Sequence, residues 1–130
     1  VSAMRLRPPR AVIVDESEFF RLIMGTCLRN LDWDYACMES GYELIEYFMR
    51  SGEPFDLAFI DLDLPMLNGL ETAKSIKLFA PYQKIFFMGT ETVEDLPENG
   101  HFLKKPIDFP LLARYLQDLA KQRRADKRAA

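Results

Sequence analysis

The chain has 130 residues, 48% of them hydrophobic and 28% charged, and a formal net charge of −3. That length fits one domain that can bury a core without disulfide or metal staples, and the mildly acidic balance excludes whole-chain attraction to nucleic acid. There is no run of about eighteen apolar residues and no signal-peptide pattern, and Cys27 and Cys37 are too few for a disulfide framework, so a cytoplasmic protein with no membrane role and both thiols reduced in the core is expected.

Residues 1–10 (VSAMRLRPPR) are basic, carry Pro8-Pro9 and read as an arm or linker. AVIV (11–14) is a short β-branched run that stops abruptly at acid, the pattern of a strand buried on both faces. Residues 17–31 show helical spacing through Phe20, Ile23, Cys27 and Leu31, with Ser17 as N-cap. A second strand is expected over 35–38 and a helix over 42–50, presenting Leu44, Ile45 and Phe48 and stopped by Ser51-Gly52. LAFI (57–60) is a third strand, 69–79 a helix through Leu70, Ala73 and Ile76, KIFFM (84–88) a fourth strand and FLK (102–104) a short fifth. The last helix opens near Asp108 and buries Leu112, Tyr115, Leu116 and Leu119; the basic tail 121–130 reads as a solvated helix end or linker. Strands alternating with helices point to an α/β fold, a parallel sheet covered on both faces with right-handed crossovers.

Ligands of such sheets lie outside the carboxyl ends of the strands. Asp15 and Glu16 follow the first strand directly, and Asp61 follows the third. If those strands are neighbours, three carboxylates converge. Two carboxylates about 4 Å apart repel by about 1 kcal/mol in water and about 4 at an intermediate dielectric, so the cluster demands raised pKa values or a cation. Carboxylate and carbonyl oxygens suit Mg²⁺ or Mn²⁺, held by Asp15 or Glu16, by Asp61 and by the carbonyl of Asp63. Lys105, between the fifth strand and Pro106, can aim its ammonium into the same cleft, and a cis bond before Pro106 would turn it inward.

These residues resemble a known family. DLAFIDLDLPMLNGLE (56–71) is similar to the phosphoacceptor segment of response-regulator receivers: an apolar strand ending in the phosphorylated Asp (Asp61), a Pro four residues on (Pro65) and a Gly eight on (Gly69). AVIVDESEFFR (11–21) resembles the family's first strand with its acidic pair, and FLKKPID (102–108) its Lys-Pro segment, here Lys105 and Pro106. The resemblance covers residues 11–120. It implies a five-stranded flavodoxin-like sheet of order 2-1-3-4-5, an arrangement for which a receiver protein serves as a standard illustration. It also implies phosphoryl transfer from a sensor histidine kinase or phosphotransfer protein to Asp61, signalling through an output domain or downstream protein, and a divalent cation.

The sequence departs from that pattern in two places. The fourth strand of the family usually ends in a Thr or Ser that senses the phosphoryl group; here Gly89 holds that position and Thr90 follows, so Thr90 is expected to substitute for the hydroxyl. The segment 91–100, with only Val93 and Leu96 as apolar anchors and Pro97 interrupting, leaves the fourth helix missing or reduced to a turn. Phe102 falls at the family's aromatic switch position, and His101 reads as a solvated loop residue. Two alternatives remain: a degenerate receiver working as an unphosphorylated interaction module, and a haloacid-dehalogenase-type phosphatase using Asp61 and Asp63, against which stand Pro65 and the absence of a later acidic metal motif.

Overall fold

The computed structural model describes residues 7–129. Its elements run β1 (Arg10–Val14), α1 (Glu18–Asn30), β2 (Asp34–Met38), α2 (Gly41–Ser51), β3 (Leu57–Asp61), α3 (Gly69–Ile76), β4 (Ile85–Gly89), β5 (Gly100–Lys104) and α4 (Phe109–Ala129). All strand pairs are parallel, in the order β2-β1-β3-β4-β5. The pleat sends alternate residues of the central strands to opposite faces. Val12, Val14, Ala58, Ile60 and Phe87 meet Leu44, Phe48 and Ile76 from α2 and α3. Ala11, Ile13, Phe59 and Met88 meet Met24, Leu28, Leu112 and Leu116 from α1 and α4. This is why β1, β3 and β4 read as continuous apolar runs rather than alternating ones.

Local chemistry sets the helix ends. Ser17 caps α1 through the amide of Phe20, and Ser40 with Glu43, and Asn68 with Glu71, form reciprocal capping boxes for α2 and α3. Gly52 stops α2 at a left-handed φ of 65°.

The structure differs from the sequence-based expectation in several places. The buried face of α1 centres on Met24 and Leu28, with Phe20, Ile23, Cys27 and Leu31 only half-buried beside it. This helix also carries Phe19 and Leu22 exposed on its outer side, so apolar spacing alone left its rotation ambiguous. Cys37 is exposed on the edge strand β2 rather than in the core, and Cys27 is half-buried. The α-helical part of α3 ends at Ile76, with 77–79 continuing as turns. His101 lies within β5, which begins at Gly100 rather than at 102, with its ring 5.7 Å from that of Phe86. Between β4 and β5 no helix occurs among the described residues; Leu96 alone of that connection packs on the α2–α3 side of the core.

The basic tail is a helix end rather than a linker. α4 continues without a break to Ala129, because no Gly or Pro follows Pro110 and its residues are good helix formers. Arg123 ties this extension to the body. Its Nε donates to Asp56 Oδ1 at 3.1 Å and its Nη1 to the carbonyl of Arg7 at 2.6 Å, while Asp56 Oδ2 accepts from the amide of Arg10 at 2.8 Å. Part of the expected N-terminal arm is thereby fastened down as well, since Arg10 opens β1 and Arg7 pairs with Glu53 at 2.9 Å; residues 1–6 lie outside the described residues. Asp56→Ala removes the acceptor of both donors and is expected to cost about 1–3 kcal/mol, read as a lower urea midpoint.

Candidate functional site

Strand order and register assemble the site. β1 and β3 are neighbours with Val14 opposite Ile60, so the next residues, Asp15 and Asp61, emerge side by side at the carboxyl edge. β4 lies between β3 and β5 and ends at Gly89, opposite Lys104. The Lys105 amide donates to the carbonyl of Gly89 at 2.8 Å. From there the side chain reaches back across the sheet: its Nζ is 2.9 Å from Asp15 Oδ2 and 3.8 Å from Asp61 Oδ2. The Lys105–Pro106 bond is cis.

Asp15 is buried, with 1% of its surface exposed, and Asp61 is half-buried. The second oxygen of each is held by the chain's own backbone: Asp15 Oδ1 accepts from the Ser17 amide at 2.9 Å and Asp61 Oδ1 from the Asp63 amide at 3.1 Å. Burial pushes the Asp61 carboxyl above its ordinary value; the Asp63 amide opposes this, the Asp15 charge adds to it and Lys105 opposes it. A raised folded-state value means that this group supports the fold below the ordinary carboxyl range and that the support is lost as pH rises through the folded value. Asp61→Asn, which removes the charge, is therefore expected to raise the denaturation midpoint at neutral pH without divalent ions, and to narrow the gap to wild type as the pH is lowered into the acid range.

Three residues support the site that the sequence did not assign to it, two of them, Ser17 and Phe20, having been read only as parts of the helix. Arg21 Nη1 donates to the carbonyls of Asp15 at 2.7 Å and Glu16 at 2.9 Å, fixing the turn that carries the acids. The ring of Phe20 lies under Lys105, its centroid 4.2 Å from Nζ. Ser17 supplies both the helix cap and the amide on Asp15. An arginine six residues beyond Asp15, on the first turn of the following helix, was the available signal.

The other expected residues are placed as follows. Glu16 and Asp63 are exposed, and no group of three acidic, histidine or cysteine side chains gathers to hold a metal among the described residues. The expected convergence of three carboxylates is thus reduced to two, because Glu16 follows the strand end and faces solvent. Thr90 is exposed beyond the end of β4 and makes none of the contacts that join Asp15, Asp61 and Lys105. Gly89 is buried, and Phe102 on β5 is half-buried beside it. Pro65 lies in the exposed β3–α3 loop, and Pro106 is exposed. Gly69 opens α3 hard against β3: a Cβ there would stand 2.5 Å from the Asp61 carbonyl oxygen.

A lysine bridges two carboxylates at the strand ends of a 2-1-3-4-5 sheet, and comparison with known proteins identifies the family of that sheet. The family model described as "Response regulator receiver domain" matches residues 11–117. The chain belongs to the response regulator receiver domain family. Receivers are modules of two-component phosphorelay signalling, generally signalling rather than catalytic. Among curated relatives, a hybrid signal transduction histidine kinase E of Dictyostelium discoideum is 37% identical over 68 residues, 52% of this receiver and 4% of the relative. A cyclic di-GMP phosphodiesterase of Thermotoga maritima is 30% identical over 107 residues, 78% of this chain and 28% of the relative. The chain thus spans a small part of either protein's length. Among solved structures, the receiver domain of the sensor histidine kinase PA1611 of Pseudomonas aeruginosa, with a magnesium ion coordinated in its active site cleft, superposes with a TM-score of 0.75 at 18% identity, covering 88% of this chain and 98% of that one. At that identity the likeness concerns the fold.

The donor set of this receiver fits a hard divalent ion. Asp15 and Asp61 supply two adjacent carboxylates, and the upward push on Asp61 includes like-charge crowding that a cation relieves. Magnesium ordinarily keeps several waters and takes one or two carboxylates, so a third acidic side chain is not required.

Proposed function

We propose that Asp61 accepts a phosphoryl group from a sensor histidine kinase or phosphotransfer protein, with Mg²⁺ (or Mn²⁺) held by Asp15, Asp61 and the Asp63 carbonyl. The observation that carries this reading is the ammonium of Lys105 seated between the Asp15 and Asp61 carboxylates. Glu16 is left as an outer ligand through water.

In the transfer, a carboxylate oxygen of Asp61 attacks phosphorus in line. An O–P bond forms as the P–N bond of the donor phosphohistidine breaks, and the electron pair stays on the imidazole nitrogen. The cation, when bound, neutralises charge on the transferring oxygens. Lys105 takes a further share and is already positioned, because Asp15 and the Phe20 ring hold it before the donor arrives. The product is an acyl phosphate, which water later hydrolyses at phosphorus to return the carboxylate and inorganic phosphate. Pro65, Gly69 and Pro106 shape the loops that carry Asp61 and Lys105. Thr90 and Gly89 supply no hydroxyl contact to the acids, and Phe102 stands as the aromatic switch. The new charge of about −1.5 to −2 shifts a pre-existing equilibrium towards binding an output domain or downstream protein in the cytoplasm. No helix among the described residues is long and apolar enough to cross a membrane.

Incubation with acetyl phosphate and Mg²⁺ tests the proposal. The expected result is a mass increase of one phosphoryl group, absent in Asp61→Asn and absent with chelator. A second reading, an interaction module that works without phosphate, is favoured by Gly89 and by the missing helix between β4 and β5; an unchanged mass in the wild-type protein selects it.

A further inference from the structure

At Gly89, near the end of β4, the place of a side chain is approached from both sides, by Leu62 beyond β3 and by Phe102 on β5. A Cβ built at Gly89 would lie 3.0 Å from Leu62 Cδ1 and 3.6 Å from Phe102 Cε1. Leu62 is the residue directly after Asp61, and its peptide is pinned at both ends. Its amide donates to the carbonyl of Met88 at 2.8 Å, and its carbonyl accepts from the amide of Gly69 at 3.1 Å. The side chain is packed against the α2–α3 side of the core. Phe102 is half-buried on an edge strand, and among the described residues no helix crosses over between β4 and β5. Thr90, the nearest hydroxyl along β4, is exposed.

We propose that Leu62 is the positioning residue through which the state of Asp61 reaches Phe102, the two side chains converging over Gly89. The proposal rests on Asp61 being the phosphoacceptor. Phosphorylation adds charge and three oxygens to the side chain of residue 61, and the peptide that follows must adjust to it. Met88 and Gly69 hold the backbone of Leu62, so the adjustment falls on its side chain. Close-packed neighbours pass on small shifts rather than absorbing them. The displaced Leu62 tip therefore presses on, or withdraws from, the ring edge of Phe102, and the edge strand reports the change. A β4 hydroxyl has no part in this route.

The test uses the full chain carrying Phe102→Trp as reporter in a Trp33→Phe background, which removes the only native tryptophan. Trp33 suits this change because its buried indole N–H has no hydrogen-bond partner among the described residues. Acetyl phosphate and Mg²⁺ are added, and mass and emission are followed together. The expected result is a mass increase with a shift in the emission of the reporter indole. Leu62→Ala then abolishes the emission shift while the mass increase remains, and the volume-conserving Leu62→Met restores the shift. A mass increase with an emission shift that survives Leu62→Ala overturns the proposal, as does a mass increase with no emission shift in the reporter. Loss of the mass increase in Leu62→Ala alone overturns it too, since Leu62 would then act on acceptance itself. No mass increase in the wild-type chain overturns the phosphoacceptor reading, a failure separate from the others, and the proposal falls with it.

Discussion

Lys105→Met is expected to slow phosphoryl acceptance from acetyl phosphate by about 10²–10³-fold, the cost usually seen when one preorganised charge-stabilising donor is removed. Methionine keeps an unbranched apolar stem of nearly the same length but not the charge, nor its contact with the Phe20 ring. Two effects add. The transferring oxygens lose a cation that stands 3.8 Å from Asp61 Oδ2, and Asp15 loses its only charged partner among the described residues, 2.9 Å away, while remaining buried. The second effect makes the variant more dependent on divalent ions, so its thermal midpoint should rise more steeply with Mg²⁺ than that of the wild type. Stopped-flow or quenched-flow mass analysis over a range of Mg²⁺ concentrations measures the rate, and thermal melts over the same range measure the midpoint. A rate within about threefold of wild type, under 1 kcal/mol of barrier, would remove Lys105 from the chemistry.

Gly69→Ala is the second large effect, and it acts through the backbone. The added Cβ would meet the Asp61 carbonyl oxygen at 2.5 Å and the Leu62 Cα at 2.9 Å, and neither is the free end of a flexible side chain. Either α3 backs away from β3 or the Asp61–Leu62 peptide shifts. Overpacking of this kind costs about 1–3 kcal/mol, read as a lower urea midpoint. Because the clash falls on the peptide that carries Asp61, acceptance of phosphate should fall by more than the fraction unfolded explains. Gly52 gives the contrast. No described residue lies within 4 Å of a Cβ there, so Gly52→Asn, which tolerates a left-handed φ, should be nearly silent.

How much of this was legible in the sequence follows from the range of each interaction. The sheet could be read because β1, β3 and β4 are apolar runs of a length that only a strand buried on both faces explains, each ending where Asp15, Asp61 or Gly89 begins the loop. Lys105 could be placed because Pro106 and the apolar pair Phe102-Leu103 fixed its position past the last strand. The rotation of α1 could not be read, since apolar residues surround it and only the sheet selects Met24 and Leu28. Nor could the roles of Glu16 and Thr90: both lie just beyond a strand end, where the chain turns outward, and sequence adjacency does not say which way. Arg21 and Arg123 act through carbonyls and carboxylates brought near by folding, and an arginine looks the same in sequence whether it is solvated or clamped.

The short link between β4 and β5 has a mechanical consequence. A parallel crossover normally spends a dozen or more residues and a covering helix; this one spends ten residues without one, and β5, at the sheet margin by the strand order, has His101 and Lys104 open to solvent. The margin strand is where local fraying begins. Lys105 is attached to that strand, so each brief detachment of β5 carries the ammonium away from Asp15 and Asp61 and each closure returns it. Amides of residues 102–104 should then exchange with solvent deuterium faster than those of 58–60, and the lifetime of the closed margin sets how much of the time the acid pair has its counter-charge.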